Sequence, residues 1–166
     1  MKIYLIGMPG SGKSTLGKEI AAELLLPFID LDTEIERKEL MSIPEVFREK
    51  GEDYFRQTES QVLSEWASAE KSFVMATGGG APCFYNGIDV INNSGLSVFL
   101  DVPVDELLKR VKQDINRPLL NTSDLNERKQ RLASLYENRL TIYNLAKIKL
   151  SNPTKKSVLE ALHLKM

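Results

Sequence analysis

Gly7-Met8-Pro9-Gly10-Ser11-Gly12-Lys13-Ser14-Thr15 follows the apolar run Ile3-Tyr4-Leu5-Ile6 and precedes a helical pattern. Its spacing, G-x-x-x-x-G-K-S, is the Walker A pattern. Glycines let the backbone curl so that successive N–H groups point inward, and the following helix presents its positive end to the same anion. In this reading Gly10, Ser11, Gly12 and Thr15 form the cradle, Lys13 reaches the outer phosphates and the Ser14 hydroxyl ligates magnesium. The motif requires a strand before it and a helix after it, and the flanking patterns supply both.

A chain of 166 residues fits one domain, spanning 1–166, and can bury a sizeable core. Charged residues make up 27% and hydrophobic ones 42%, which excludes disordered and membrane-type compositions. The formal net charge is −1, with 22 basic residues scattered among 23 acidic ones, so no surface for a nucleic-acid backbone is expected. Cys83 is the only cysteine, which rules out an internal disulfide or a cysteine cluster for zinc and fits a reducing cytosol. The first apolar run ends too soon for a signal peptide, and no stretch could span a bilayer. The expectation is a cytoplasmic protein without membrane or nucleic-acid partners, taken as a monomer.

Along the chain, Leu16, Ile20, Ala21 and Leu24 recur at helical spacing from Lys13 to Leu25, and Pro27 ends that helix. Phe28-Ile29 is a brief strand that delivers Asp30-Leu31-Asp32, whose two carboxylates share a side while the chain stays extended. Ser42 and Glu45 form a capping box for a short helix that Gly51 ends. A helix from about Glu52 to Ala69 buries Tyr54, Phe55, Val62, Leu63 and Trp66. Phe73 to Ala76 is a third strand, opening into Thr77-Gly78-Gly79-Gly80. Consecutive glycines mark either a tight irregular turn or a close approach of a ligand to the main chain.

Leu96 to Leu100 forms a fourth strand, and Pro103 starts a helix with Arg110 on its exposed face. Residues 112–124 lose periodicity and read as a lid. A long helix to about Ala146 follows, then a fifth strand, Ile148 to Leu150. Ser151-Asn152-Pro153 is expected to cap the last helix, with Pro153 in its first turn. His163, the only histidine, is structural or exposed. Alternating strands and helices predict an α/β fold, a mostly parallel five-stranded sheet covered on both faces.

Ligands in such sheets bind beyond the carboxyl ends of the strands. The phosphate loop, the Asp30/Asp32 pair and the triple glycine should therefore converge on one cleft. Magnesium takes hard oxygen ligands, and Ser14 with Asp30 would serve. Asp32 would then accept a hydrogen bond from an acceptor hydroxyl; the alternative for this pair is capping of the next helix.

Taken together, Gly7 to Thr15, Phe28-Ile29-Asp30-Leu31-Asp32 with Ile35-Glu36, Phe55-Arg56-Gln57-Thr58-Glu59, Gly78-Gly79-Gly80, Arg117-Pro118-Leu119-Leu120, and Arg139 with Tyr143 resemble the shikimate kinase family over nearly the whole chain. The resemblance implies a P-loop NTPase fold of the nucleoside-monophosphate-kinase type. It also implies transfer of the γ-phosphoryl of ATP to the 3-hydroxyl of shikimate with magnesium. Arg56 and Arg139 would hold the shikimate carboxylate, and Asp32 with Gly78, Gly79 and Gly80 its hydroxyls. Arg117 would reach from the lid to the phosphates, completing a catalytic set with Lys13 and Asp32, and Arg110 and Pro153 would enclose the adenine. Ser151 stands where some relatives carry a basic residue.

Another small-molecule or nucleoside monophosphate kinase with the same core would share the Walker A loop without combining Asp32, Arg56, the triple glycine and Arg139. A nucleotide-dependent switch would have no use for a carboxylate-gripping arginine pair, and the guanine-reading N-K-x-D segment is absent from the sequence.

Overall fold

The computed structural model describes residues 1–111 and 120–165. Its strands are β1 (Lys2–Ile6), β2 (Phe28–Asp30), β3 (Phe73–Ala76), β4 (Leu96–Asp101) and β5 (Ile148–Ser151). They form one sheet in the order β2-β3-β1-β4-β5, with every neighbouring pair parallel. Helices α1 (Lys13–Glu23) and α7 (Lys155–His163) cover one face. The other carries α2 (Leu31–Glu39), α3 (Ile43–Ser68), α4 (Gly87–Ser94), α5 (Val104–Val111) and α6 (Leu125–Tyr143).

Period-two alternation along β1 divides the core. Tyr4 and Ile6 join Phe73, Met75 and Phe99 beneath α2 to α6, while Ile3 and Leu5 join Val74, Val98 and Leu100 beneath α1 and α7. Since β1 is central and buried on both faces, its sequence after Lys2 is an unbroken apolar run, Ile3 to Ile6. The strand order places β1 and β3 side by side, so the loops that leave their carboxyl ends are neighbours.

Several local expectations change. The chain does not stay extended through Asp30-Leu31-Asp32. Asp30 is the N-cap of α2, its side chain accepting from the Asp32 and Thr33 amides, and Asp32 enters the first helical turn. Ser42 and Glu45 do form the capping box, and at Gly51 the backbone leaves helical geometry (φ 83°, ψ 170°), so α3 is two helices joined at a kink. Tyr54 is not buried: it is 38% exposed, and its hydroxyl reaches Glu39 on α2. The N-cap of α7 is Thr154, paired with Ser157 in a capping box, which places Pro153 before the helix rather than in its first turn. A 3-10 turn at Ala81–Cys83 and α4 fill the stretch between β3 and β4, for which no element is expected from the sequence beyond the glycine turn. His163 is exposed. Among the described residues no helix is long and apolar enough to cross a membrane.

Candidate active site

The loop between β1 and α1 turns on glycines whose φ lies on the positive side: 145° at Gly7, 79° at Gly10 and 91° at Gly12. This is backbone geometry that side chains resist. Lys13 folds back over the loop and donates to the carbonyls of Gly7 (2.9 Å) and Met8 (2.8 Å). It is only 8% exposed, so its charge sits inside the cradle instead of in bulk water.

Ser14, the next residue, donates from Oγ to Asp30 Oδ2 at 2.9 Å. The two oxygens of Asp30 thus do different work: Oδ1 caps α2 and Oδ2 faces the phosphate loop. A hydroxyl and a carboxylate oxygen this close, at the mouth of a phosphate cradle, are the hard donors magnesium takes, with water supplying the rest. Among the described residues no group of three or more His, Cys, Asp or Glu could hold a metal ion. Arg110 donates to the Gly10 carbonyl at 3.2 Å and is tied to Glu106 on its own helix. Arg110 and Pro153 lie on the rim of the cavity that the loop lines, together with Thr77, Gly78 and Gly79.

A second cavity adjoins the first and is built from side chains. Arg56 on α3 and Arg139 on α6 are 5% and 6% exposed, an unusual depth for arginine. Both line this cavity, with Glu59, Asp32 and the three glycines. The glycines serve close approach here. A Cβ on Gly78 would lie 2.7 Å from Glu59 Oε2 and 3.1 Å from Asp32 Oδ1, and one on Gly79 would lie 2.9 Å from Arg139 Nη1. At Gly80 a Cβ would collide with the Arg56 guanidinium. Three residues without side chains thus let four charged groups close on one spot.

Arg56 Nη1 donates to Glu59 Oε1 at 2.8 Å, while Arg56 Nε and Glu59 Oε2 are buried without a hydrogen-bond partner. Burial pushes the Glu59 carboxyl up to about 7, against the opposing pull of the Arg56 charge. Behind Arg139, Tyr143 donates to the Gly79 carbonyl at 2.6 Å, and burial holds its phenol well above the usual range. Cys83 is similarly pushed up, to about 11, so its thiol is not a nucleophile at neutral pH.

Asp32, Gly78 and Gly79 belong to both cavities and form the wall between them. The sequence-derived candidates Gly10 to Thr15, Asp30, Asp32, Arg56, Gly78 to Gly80, Arg110, Arg139 and Pro153 therefore fall on two adjoining pockets. Arg117 lies outside the described residues, as does most of the stretch read as a lid. Of the remainder, Leu120 is buried against the second cavity, and Asp124 caps α6. Sequence reasoning gave no role to Glu59, although its i+3 spacing from Arg56 on a helix was a usable signal. The apolar lining is Ile43, Phe47, Leu120 and Leu135, of which only Leu120, at the end of Arg117-Pro118-Leu119-Leu120, belongs to a sequence motif.

The parallel sheet, the phosphate loop at the end of its central strand and the arginine-lined pocket beside that loop define a kinase of the P-loop NTPase class. The comparisons with known proteins narrow the class. The family model described as SKI: Shikimate kinase matches residues 9–164. The shikimate kinase of Aquifex aeolicus (strain VF5) is 40% identical over 149 residues, 90% of this chain and 85% of that protein. That of Clostridium botulinum (strain Okra / Type B1) is 44% identical over 146 residues, 87% of this chain and 83% of that protein. The structure of shikimate kinase from Acinetobacter baumannii in complex with shikimate superposes with a TM-score of 0.92 at 34% identity, covering 99% of this chain and 93% of that one. The chain belongs to the shikimate kinase family.

Proposed function

We propose that this protein transfers the γ-phosphoryl group of ATP to the 3-hydroxyl of shikimate, giving shikimate 3-phosphate and ADP. The observation that carries the reading is the shared wall: a phosphate cradle and a pocket holding two buried arginines meet at Asp32, Gly78 and Gly79. The phosphates of ATP would lie against the amides of Gly10 to Thr15, where Lys13 offsets charge that develops on the transferring group. The planar guanidinium groups of Arg56 and Arg139, from different helices, can each grip a carboxylate through paired hydrogen bonds and so fix the ring's orientation. Asp32, on the dividing wall, accepts from the hydroxyl that attacks. Phosphoryl transfer is loose, so a positioned hydrogen-bond acceptor serves in place of a strong base.

Ser14 and Asp30 are the residues that would hold magnesium, which when bound neutralises charge on the phosphate oxygens. Arg117 is proposed to reach the phosphates from the 112–124 stretch, and Arg110 and Pro153 to flank the adenine. The same reading takes residues 1–166 as one domain, working as a monomer in the cytoplasm. A single sheet buried on both faces and the lone thiol support it.

The test is ADP release measured in a coupled assay with ATP, magnesium and, in turn, shikimate, quinate, gluconate and nucleoside monophosphates. Shikimate should stimulate turnover well above the others. Equal rates with and without shikimate would overturn the proposal.

A further inference from the structure

Phe84 sits where a phenylalanine gains little from burial. It is 37% exposed, belongs to neither core cluster and does not line the arginine pocket. Its ring centroid nevertheless lies 4.4 Å from the guanidinium carbon of Arg56. The segment that carries it is tightly folded. The Cys83 amide donates to the Gly80 carbonyl at 2.8 Å, and the Gly87 amide to the Phe84 carbonyl at 2.9 Å. Between them Tyr85 and Asn86 both adopt left-handed backbone, with φ of 49° and 55°. Such a conformation is costly for a tyrosine, and residues held in it persist where the surroundings over-determine them. Tyr85 itself is 54% exposed, so its own side chain offers little compensation. The turn instead presents Phe84 to the arginine.

Arg56 is confined from several directions. Gly80 leaves it room that a Cβ would take, Phe55 offers a second ring at 5.1 Å, and Glu59 holds one nitrogen. An arginine is a useful carboxylate clamp only when its plane is fixed, because paired hydrogen bonds demand alignment of both partners. A ring stacked on the guanidinium supplies that constraint and keeps water from the charge, and a desolvated cation–ring contact is among the stronger ones available to a surface aromatic.

We propose that Phe84 is a positioning residue for the acceptor site: by covering the Arg56 guanidinium it fixes the plane in which Arg56 grips the acid, so that an aromatic ring at this position sets the affinity for the anionic acceptor. The inference rests on the reading of Arg56 as a shikimate-carboxylate ligand.

Steady-state kinetics of the purified full chain test it, using Phe84→Leu, Phe84→Tyr, Arg56→Lys and the double variant Phe84→Leu/Arg56→Lys, each first confirmed as folded by thermal melting. Phe84→Leu should raise the shikimate KM about 5-fold while leaving the ATP KM within about 2-fold, and Phe84→Tyr should restore the wild-type value. In the Arg56→Lys background, Phe84→Leu should add nothing. A neutral methyl ester of shikimate, used as substrate or competitive inhibitor, gives a readout that needs no Arg56 variant, since Phe84→Leu should not change its affinity. A wild-type shikimate KM in Phe84→Leu, or the same loss with and without the Arg56 guanidinium, overturns the proposal by reducing Phe84 to a wall of the fold. A wild-type shikimate KM in Arg56→Lys overturns the reading of Arg56 itself and the proposal with it, so the two failures are told apart.

Discussion

The two halves of the site are made of different material. On the phosphate-loop side the groups presented are main-chain amides shaped by glycines at positive φ, and Lys13, a buried charge there, is held by carbonyls of its own loop. The arginine pocket is made of ionisable side chains carried by separate helices, packed against glycines that contribute only the absence of a side chain. A backbone cradle recognises what every nucleotide has. Buried side-chain charges are suited to one shape of acceptor, and they carry hydrogen-bonding capacity that the protein does not use: Glu59 Oε2 has no hydrogen-bond partner, and Arg56 Nε has only an ion pair with Glu52 at 3.5 Å. Generality and selectivity are thus divided along the wall formed by Asp32, Gly78 and Gly79.

Changes on either side of that wall should have separable effects. The largest is expected from Lys13→Ala, which should lower kcat by about 1,000-fold with little change in shikimate affinity, because it removes charge stabilisation at the transferring group. Isothermal titration with shikimate alone, set beside turnover, checks both parts, and a large loss of shikimate binding would blur the division drawn here. Arg139→Ala should raise the shikimate KM by about 10- to 100-fold through loss of a charge-assisted contact, with the ATP KM held. If the ATP KM rose in step, the pockets would not be independent.

Gly80→Ala comes next. Its Cβ must displace the Arg56 guanidinium, so it should destabilise the fold by about 1–3 kcal/mol and weaken shikimate more than ATP, as urea unfolding and paired KM values would show. An effect of comparable size on stability concerns protons. Glu59 has a folded pKa raised from 4.5 to about 7, so between these values the folded protein keeps a proton that the unfolded chain has released. Stability should therefore fall as pH rises from about 5 to 7, by up to about 3 kcal/mol from this group. Carboxylates with lowered values, such as Glu39, held down chiefly by the hydrogen bond from Lys50, act in the opposite sense at lower pH. The difference in melting temperature between wild type and Glu59→Gln, followed across that range, isolates the term. A constant difference would mean that Glu59 is ionised throughout.

The same division explains how far the sequence could be read. The phosphate side depends on residues adjacent in the chain, so spacing alone exposed Gly10 to Thr15. Parallel strands buried on both faces announce themselves as apolar runs, and all five emerged with boundaries within a residue, Phe28-Ile29 being extended by Asp30. The arginine pocket is assembled from α3, α6 and the turn after β3, and no local pattern ties Arg56 to Arg139. Only the resemblance to a family joined them.

Asp30 illustrates a different limit. As a helix cap and as a partner of Ser14 it offers the same residue type in the same place, and only the structure shows that its two oxygens do both. Nor could periodicity place α4, whose start depends on the left-handed turn at Tyr85 and Asn86. Asn86-Gly87 is a turn signal, but a tyrosine normally avoids such backbone, and Tyr85 gives no warning of it.

The common wall has a kinetic consequence. If donor and acceptor meet where the two cavities share these three residues, the phosphoryl group can pass between them directly and has no need of a stopover on the protein. Both substrates must then be aboard before either product leaves. Initial-rate plots at varied ATP and shikimate should intersect, phosphorus chirality should invert, and a parallel pattern would mean that the wall is a relay.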